Sequence, residues 1–180
     1  DGLLFKYLHF YGSYDFVGTS SNWYSHEIRV IKNDPSIYSN GDAQGFRKNN
    51  DEKLKVKSID AHMYHYGWTR EPEAFQKKQS NFYSLYEGEY GKPKNFEDSS
   101  LKFEYESFVN TIEPFKGSHP KVIAERIKNK NWEFDYDISM SQKGLKDKAK
   151  EFLKKYLGIN TYYEGYIILK DWFLVLPQSL

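Results

Sequence analysis

The chain of 180 residues contains no cysteine. This absence excludes disulfide bridges, cysteine zinc sites and cysteine nucleophiles, and it fits a reducing compartment. The net charge of the chain is also low, at +1 when the pH is 7. Proteins bind the phosphate backbone of nucleic acids through a basic surface, so we expect no nucleic-acid partner.

Long apolar runs are missing as well. The longest, "YIILKDWFLVL", is interrupted by Lys170 and Asp171 and is shorter than the roughly 20 apolar residues that span a bilayer. The start of the chain has neither the basic region nor the small-residue cleavage site of a signal peptide. We therefore expect a cytoplasmic protein. The chain begins with Asp1 and continues directly into a strand pattern, so we also expect it to be a piece of a longer protein.

Aromatic residues are abundant, with 16 Tyr, 13 Phe and 4 Trp making up 18% of the chain. Side chains of this size can build a large core from a modest number of apolar residues. A tyrosine ring is apolar and its hydroxyl is polar, so tyrosines also suit surfaces that bind sugars or nucleotides.

The hydrophobic pattern changes along the chain. Residues 1–68 are mainly of strand character, and residues 69–157 are mainly helical. This segregation predicts an α/β or α+β fold, with domains at 1–70 and 71–180. The predicted strands are 2–11, 27–32, 54–66 and 161–170, and the predicted helices are 71–87, 120–131 and 144–157.

The helix at 144–157 has the clearest pattern. Its apolar residues recur at helical spacing and predict a buried stripe, while lysines cover its other faces. A solvated lysine face is the favoured interpretation, and peripheral contact with a membrane surface is the alternative. The predicted stripe consists of Leu145, Ala149, Phe152, Leu153 and Tyr156.

Two histidines stand where the strand pattern gives way to the helical one. His62 and His65 are three residues apart in an extended segment, so they point to opposite faces and are not expected to bind one ion together. His65 could be a ligand. The alternative is a buried histidine bonded to backbone and wrapped by Tyr64, Tyr66 and Trp68.

The segment "SNGDAQGFR" is a second candidate site. It combines a carboxylate (Asp42), an amide (Gln44) and a cation (Arg47) in a glycine-flanked loop that could hold sugar hydroxyls or a phosphate. The alternative is an ordinary turn in which Asp42 bonds its own backbone.

The segment "NWYSHEIRV" is a third candidate. Trp23 and Tyr24 could form a platform on which a sugar stacks, and Arg29 could meet an anion. The alternative is the start of a strand with exposed polar groups.

In this order the three segments resemble a known family. A strand ends in Tyr-Gly, a turn containing tryptophan follows, and then come "RVIKND", the glycine-flanked loop and "YHYGW". This order is similar to the second half of the catalytic domain in family 2-type glycosyltransferases, in the bacterial branch related to lipopolysaccharide-core and capsule enzymes. The resemblance covers residues 1–70 and extends less specifically through "GSHPKVIAERIKNKNWEFDYD".

The resemblance implies a GT-A fold in the complete enzyme, of which this chain would be the second half of the mixed sheet followed by a helical C-terminal extension. A divalent ion, Mg²⁺ or Mn²⁺, would hold the donor diphosphate there, and His65 would approach that ion. The family's general base is often a glutamate at the position of Gln44, which cannot take a proton. Asp42 therefore becomes the candidate base, and Gln44 its neighbour in the catalytic loop. The implied substrate-binding residues are Trp23, Tyr24, Arg29, Arg47 and Trp68.

The resemblance thus implies part of an inverting glycosyltransferase that acts in bacterial surface polysaccharide synthesis. Its partners would be a nucleotide-sugar donor and a saccharide or glycolipid acceptor. The units that hold the nucleotide, and the acidic metal motif, would precede Asp1, so the 180 residues alone are expected to be inactive. The alternative is a non-catalytic, aromatic-rich module for carbohydrate binding or protein interaction.

Overall fold

Alternating apolar and charged residues build the strands. Leu54 and Val56 are fully buried between exposed lysines, which is the pattern of a strand with one face on a core. The computed structural model describes residues 1–20, 23–40, 45–85, 98, 100, 102–108, 111–141, 144–157 and 165–169.

The described residues form a mixed α/β protein with an eight-stranded mixed sheet and few helices. The strands are β1 (Gly2–Tyr11), β2 (Phe16–Gly18), β3 (His26–Ile31), β4 (Ile37–Asn40), β5 (Gly45–Lys48), β6 (Glu52–Trp68), β7 (Ile112–Pro114) and β8 (Tyr166–Ile168). The α-helices are α1 (Pro72–Leu85), α2 (Ala124–Lys128) and α3 (Leu145–Leu157), and 3₁₀ turns lie at Tyr105–Phe108, Lys121–Ile123 and Ile138–Met140.

The sheet has the order β4-β5-β6-β1-β2-β7, with β3 also paired to β1 and β8 to β6. The strands β1 and β6 run parallel. The Asp1 amino group donates to the Lys55 carbonyl at 2.8 Å, and further along both strands the Gly12 N–H donates to the Trp68 carbonyl at 3.0 Å. If the sheet were the second half of a larger one, we would expect an exposed, aggregation-prone strand edge near residues 2–10. That expectation is wrong, because β1 pairs with β6 on one side and with β3 and then β2 on the other.

The chain forms two compact units by its internal contacts. Unit 1 contains Asp1–Tyr7, Tyr24–Met63 and Thr161–Leu180, and unit 2 contains Leu8–Trp23 and Tyr64–Asn160. Each unit therefore combines segments that are distant in sequence. These units are contact clusters and not the domains expected at 1–70 and 71–180, which stay a prediction.

Each unit has its own core. In unit 1, strands β1, β3 and β6 bury Leu4, Ile28, Leu54 and Val56. In unit 2 the core is mainly aromatic and is built by β1, α1 and the segment after it. Its buried members are Tyr11, Phe75, Phe103, Tyr105 and Ile112.

The apolar side of helix α3 is more exposed to solvent than the sequence predicted. Leu145, Phe152 and Tyr156 are 87%, 57% and 62% exposed. Ala149 is also exposed, whereas Leu153 is half-buried. The prediction of a buried stripe is therefore wrong for the four exposed residues in the described structure. Among the helices that the structure describes, none is long and apolar enough to cross a membrane.

Candidate functional site

His65 contacts a second histidine. In unit 2 its Nδ1 atom on β6 lies 3.2 Å from the Nδ1 atom of His9 on β1, and the two rings meet edge to face. His9 is buried and His65 is half-buried. A hydrogen bond between two imidazoles requires that one ring donates and the other accepts. His65 thus has a side-chain partner, which neither sequence-based alternative anticipated.

A tryptophan pair packs against His9 of this histidine pair. The ring of Trp23 lies 5.0 Å from the ring of His9 and 5.7 Å from that of Trp68. A Cβ atom at Gly67 would come within 2.5 Å of His65 Nε2, so glycine leaves the space that the imidazole occupies. We call His9, Trp23, His65, Gly67 and Trp68 the His65 cluster. It brings together three of the predicted site residues: Trp23, His65 and Trp68.

The neighbouring Tyr66 belongs to a different set of contacts. Successive side chains of a strand point to opposite faces. The Tyr66 hydroxyl lies 2.8 Å from Nδ1 of His119, and its ring stacks on Phe10. Burial raises the pKa of Tyr66 to about 12. The His65 cluster therefore contains His65 but not the neighbouring Tyr66.

Arg29 and Tyr24 belong to a cluster in unit 1. Arg29 Nη2 donates to the Tyr7 hydroxyl at 2.9 Å and lies 2.8 Å from Glu27 Oε2. The rings of Tyr7 and Tyr24 are 4.9 Å apart. We call Tyr7, Tyr24, Glu27 and Arg29 the Glu27 cluster.

Glu27 is the acid of this cluster, and sequence reasoning missed it. Glu27 is only 4% exposed. Its Oε2 atom forms the ion pair with Arg29 and has no other hydrogen-bond partner among the described residues. Burial raises the pKa of Glu27, an effect that Arg29 partly offsets. Burial also raises the pKa of Tyr24. The spacing of Glu27 and Arg29, two positions apart in a strand, puts both on one face and could have revealed the pair.

Arg47 points into the structure of unit 1. Its side chain is 8% exposed, and Nη1 donates to the carbonyls of Phe46 and Gly165, each at 3.0 Å. Its Nε atom lies 3.5 Å from an Asp51 carboxylate oxygen. The guanidinium thus joins β5 to the segment before β8. Asp42 and Gln44, the predicted catalytic residues, lie outside the described residues.

Metal ligands are few in the described part of the chain. It contains no group of three or more histidine, aspartate or glutamate side chains that could hold an ion. The His9–His65 pair offers imidazole nitrogens alone, and imidazole suits Mn²⁺ better than Mg²⁺. The acidic ligands that the family resemblance implies would have to come from outside these residues.

Unit 2 also contains an open cleft of about 530 Å³, which the sequence did not suggest. Tyr14 and Trp132 line it together with residues at the start of α1 and along α2. Arg70, Glu71, Glu125 and Arg126 are its charged residues. These lining residues are far apart in sequence, and no motif links them.

Comparison with known proteins gives no relative. No family model, curated protein or solved structure matches the chain.

Proposed function

We propose that the chain is part of a glycosyltransferase that moves a sugar from a nucleotide-sugar donor to a saccharide or glycolipid acceptor, in bacterial surface polysaccharide synthesis. The proposal includes the finer fold prediction, the second half of a GT-A-like sheet followed by a helical C-terminal extension. The order of the motifs from Trp23 to Trp68 motivates it. The observation that supports it best is the contact of His65 with His9, which in turn packs against Trp23.

The position of this cluster fits a ligand site. His9 and His65 stand near the carboxyl ends of the parallel strands β1 and β6, two and three residues before the strands end. In open sheets with parallel strands, ligands bind outside the carboxyl ends of the strands. An imidazole at such an edge could donate to a diphosphate oxygen, or coordinate the ion that the diphosphate binds.

The chemistry assigned to each residue follows from its functional groups. Asp42 would accept the proton of the acceptor hydroxyl as general base, and Gln44 would orient that hydroxyl through its amide. Trp23 and Trp68 would contact the donor beside His65. A divalent ion, when bound, supplies positive charge to the leaving nucleoside diphosphate.

The test is a transfer assay on the protein as its gene encodes it. His65→Ala should weaken metal-dependent donor binding and lower nucleoside diphosphate release about 10²–10³-fold. His62→Ala is the matched control, because His62 is a histidine of the same strand with an exposed side chain. Equal activity of the wild type and the His65→Ala variant would contradict the role of His65. A protein that releases no nucleoside diphosphate from any sugar nucleotide would contradict the transferase.

The alternative is a non-catalytic carbohydrate-binding or interaction module. The cleft lined by Tyr14 and Trp132 favours it, because that cleft offers aromatic and polar groups without a catalytic motif. The same assay separates the two functions. Saccharide binding without any turnover of sugar nucleotides would favour the module.

A further inference from the structure

We infer that the cleft of unit 2 binds a saccharide ring. This inference does not rest on the proposed function, since the cleft contains none of the residues assigned to the transfer reaction. Its volume of about 530 Å³ lies in the range of small-molecule sites. An aromatic wall and a few convergent polar groups are what such sites usually offer.

The first feature is the tyrosine that lines the cleft. Tyr14 is 1% exposed, and its ring centre lies 6.0 Å from that of Trp132. A buried aromatic ring behind the lining restricts the movement of the tryptophan in front of it. Tyr14 therefore supports the cleft wall and is not itself expected to bond to the ligand.

The second feature is a tryptophan held in a fixed position. The Trp132 indole N–H donates to the Gly12 carbonyl at 2.7 Å, and the Lys130 ammonium lies 5.3 Å from the ring centre. Because the ring is oriented before any ligand arrives, little conformational entropy would be lost on binding. A fixed indole offers the apolar surface on which the C–H face of a sugar can rest.

The third feature is the balance of charge. Arg70 and Arg126 face the same cleft as Glu71 and Glu125, and no ion pair joins these groups in the described structure. The Glu71 carboxylate accepts a 3.3 Å hydrogen bond from the Asn131 side-chain amide. The cleft therefore presents donors and acceptors in equal measure, with charges that cancel.

The equal number of positive and negative groups favours a neutral polar ligand. An anion would be attracted by the two arginines and repelled by the two glutamates, and a cation would meet the reverse. A sugar hydroxyl is neutral and can donate to a carboxylate while it accepts from a guanidinium. A ring with several hydroxyls can thus bond to lining groups of both signs, which a simple anion, a simple cation or an apolar molecule cannot.

The test uses the 180-residue chain and no sugar nucleotide. Methyl glycosides of glucose, galactose, mannose, N-acetylglucosamine and glucuronic acid are titrated at about millimolar concentrations, typical of a single ring, and amide and indole resonances are followed by NMR. At least one glycoside should shift the Trp132 indole resonance and those of α2. Inorganic phosphate is titrated in parallel as the anionic probe.

Two conservative variants then test the contacts. Arg126→Gln removes the guanidinium of an exposed lining residue, so it should leave stability nearly unchanged and weaken glycoside binding about 2- to 10-fold. Glu125→Gln keeps the shape of an exposed side chain and should also weaken binding. Lys128→Ala, on the same helix but outside the cleft, is the control and should bind like the wild type.

Three outcomes would overturn the inference. The first is that no glycoside shifts the resonances of the cleft. The second is that phosphate shifts them and the glycosides do not, which would make the cleft an anion site. The third is that Arg126→Gln and Glu125→Gln both bind like the wild type. None of these outcomes depends on transferase activity, so failure here and failure of the proposed function are distinguishable.

Discussion

The Nδ1 atoms of His9 and His65 face each other at 3.2 Å. One ring must carry a proton on Nδ1, and the other must present a lone pair there. The pair therefore fixes one tautomer for each histidine, and it fixes what each Nε2 atom can do. The ring that accepts at Nδ1 has its proton on Nε2 and can donate from there, whereas the ring that donates at Nδ1 keeps an Nε2 lone pair for an ion.

We predict two different tautomers for this pair at neutral pH. Nitrogen NMR of the imidazoles should show one ring protonated at Nδ1 and the other at Nε2. His62, which is exposed on the same strand, serves as the internal reference. Identical tautomers at both positions would contradict the hydrogen bond and the positions of the two rings.

The second prediction concerns Glu27 and pH. Burial raises the pKa of Glu27 above its ordinary value of 4.5, so the folded protein binds this proton more tightly than the unfolded chain does. Stability due to this group is then fully present below pH 4.5 and is lost as pH rises through the folded pKa. Glu27→Gln cannot ionise, so it should gain stability relative to the wild type as pH rises above 4.5.

Urea unfolding of both proteins between pH 4 and pH 8, roughly the range in which such groups titrate, measures this difference. The loss of the Arg29 ion pair adds a cost to the variant that is present wherever Glu27 is ionised. A relative stability of Glu27→Gln that stays flat or falls as pH rises would show that the ion pair outweighs the burial of the carboxylate.

The third prediction concerns Gly12, which follows the last residue of β1 and has a φ of +69°. A Cβ atom there would come within 2.7 Å of the Phe134 ring. Gly12→Ala should cost about 1–2 kcal/mol for the left-handed backbone, and more because the ring must move. Denaturant unfolding measures the loss. Gly144→Ala is the control, since no atom lies within 4 Å of its Cβ position, and it should cost less than about 1 kcal/mol.

Much of the fold was readable from local patterns. The strand predicted at 2–11 is found at Gly2–Tyr11, and the helix predicted at 144–157 is found at Leu145–Leu157. Both are long enough for a hydrophobic period and end signals to be recognised. By contrast, β2 and β7 have three residues each and pair with each other, Phe16 opposite Pro114. Three residues show no period, and their pairing is a long-range contact.

The candidate site was predictable to a lesser degree. The order of the motifs predicted both Trp23 and His65 as site residues, and both belong to the His65 cluster. His9 was not among the predicted site residues, because a single sequence does not show that parallel pairing places it opposite His65. Tyr14 and Trp132 were missed for the same reason: they meet only through the tertiary fold.

The fourth prediction separates two roles of Arg47. Arg47→Met keeps most of the side-chain volume but leaves the Phe46 and Gly165 carbonyls without their donor, so it should lower stability by about 1–3 kcal/mol. Lys32→Met, at an exposed position of the same unit, should change stability by less than about 0.5 kcal/mol. A stable Arg47→Met variant with weakened substrate binding would instead support the substrate-binding role predicted from sequence.

The last prediction concerns Asp42 in the protein as its gene encodes it. Asp42→Asn should lower turnover and leave nucleotide-sugar binding nearly unchanged, because a general base acts on the acceptor and not on the donor. The change is nearly isosteric, so a folding defect is a weaker explanation for lost turnover than it would be for a larger change. Donor affinity by calorimetry and turnover by nucleoside diphosphate release are measured on the same preparation.

Gln44→Glu is the companion variant, because it introduces the carboxylate that the family resemblance predicts at this position. If Asp42 is the base, Gln44→Glu should not rescue Asp42→Asn unless the new carboxylate reaches the same hydroxyl. Rescue would move the base to position 44. Unchanged turnover in Asp42→Asn would remove Asp42 from the reaction, and a parallel loss of donor affinity would show that its carboxylate serves the donor instead.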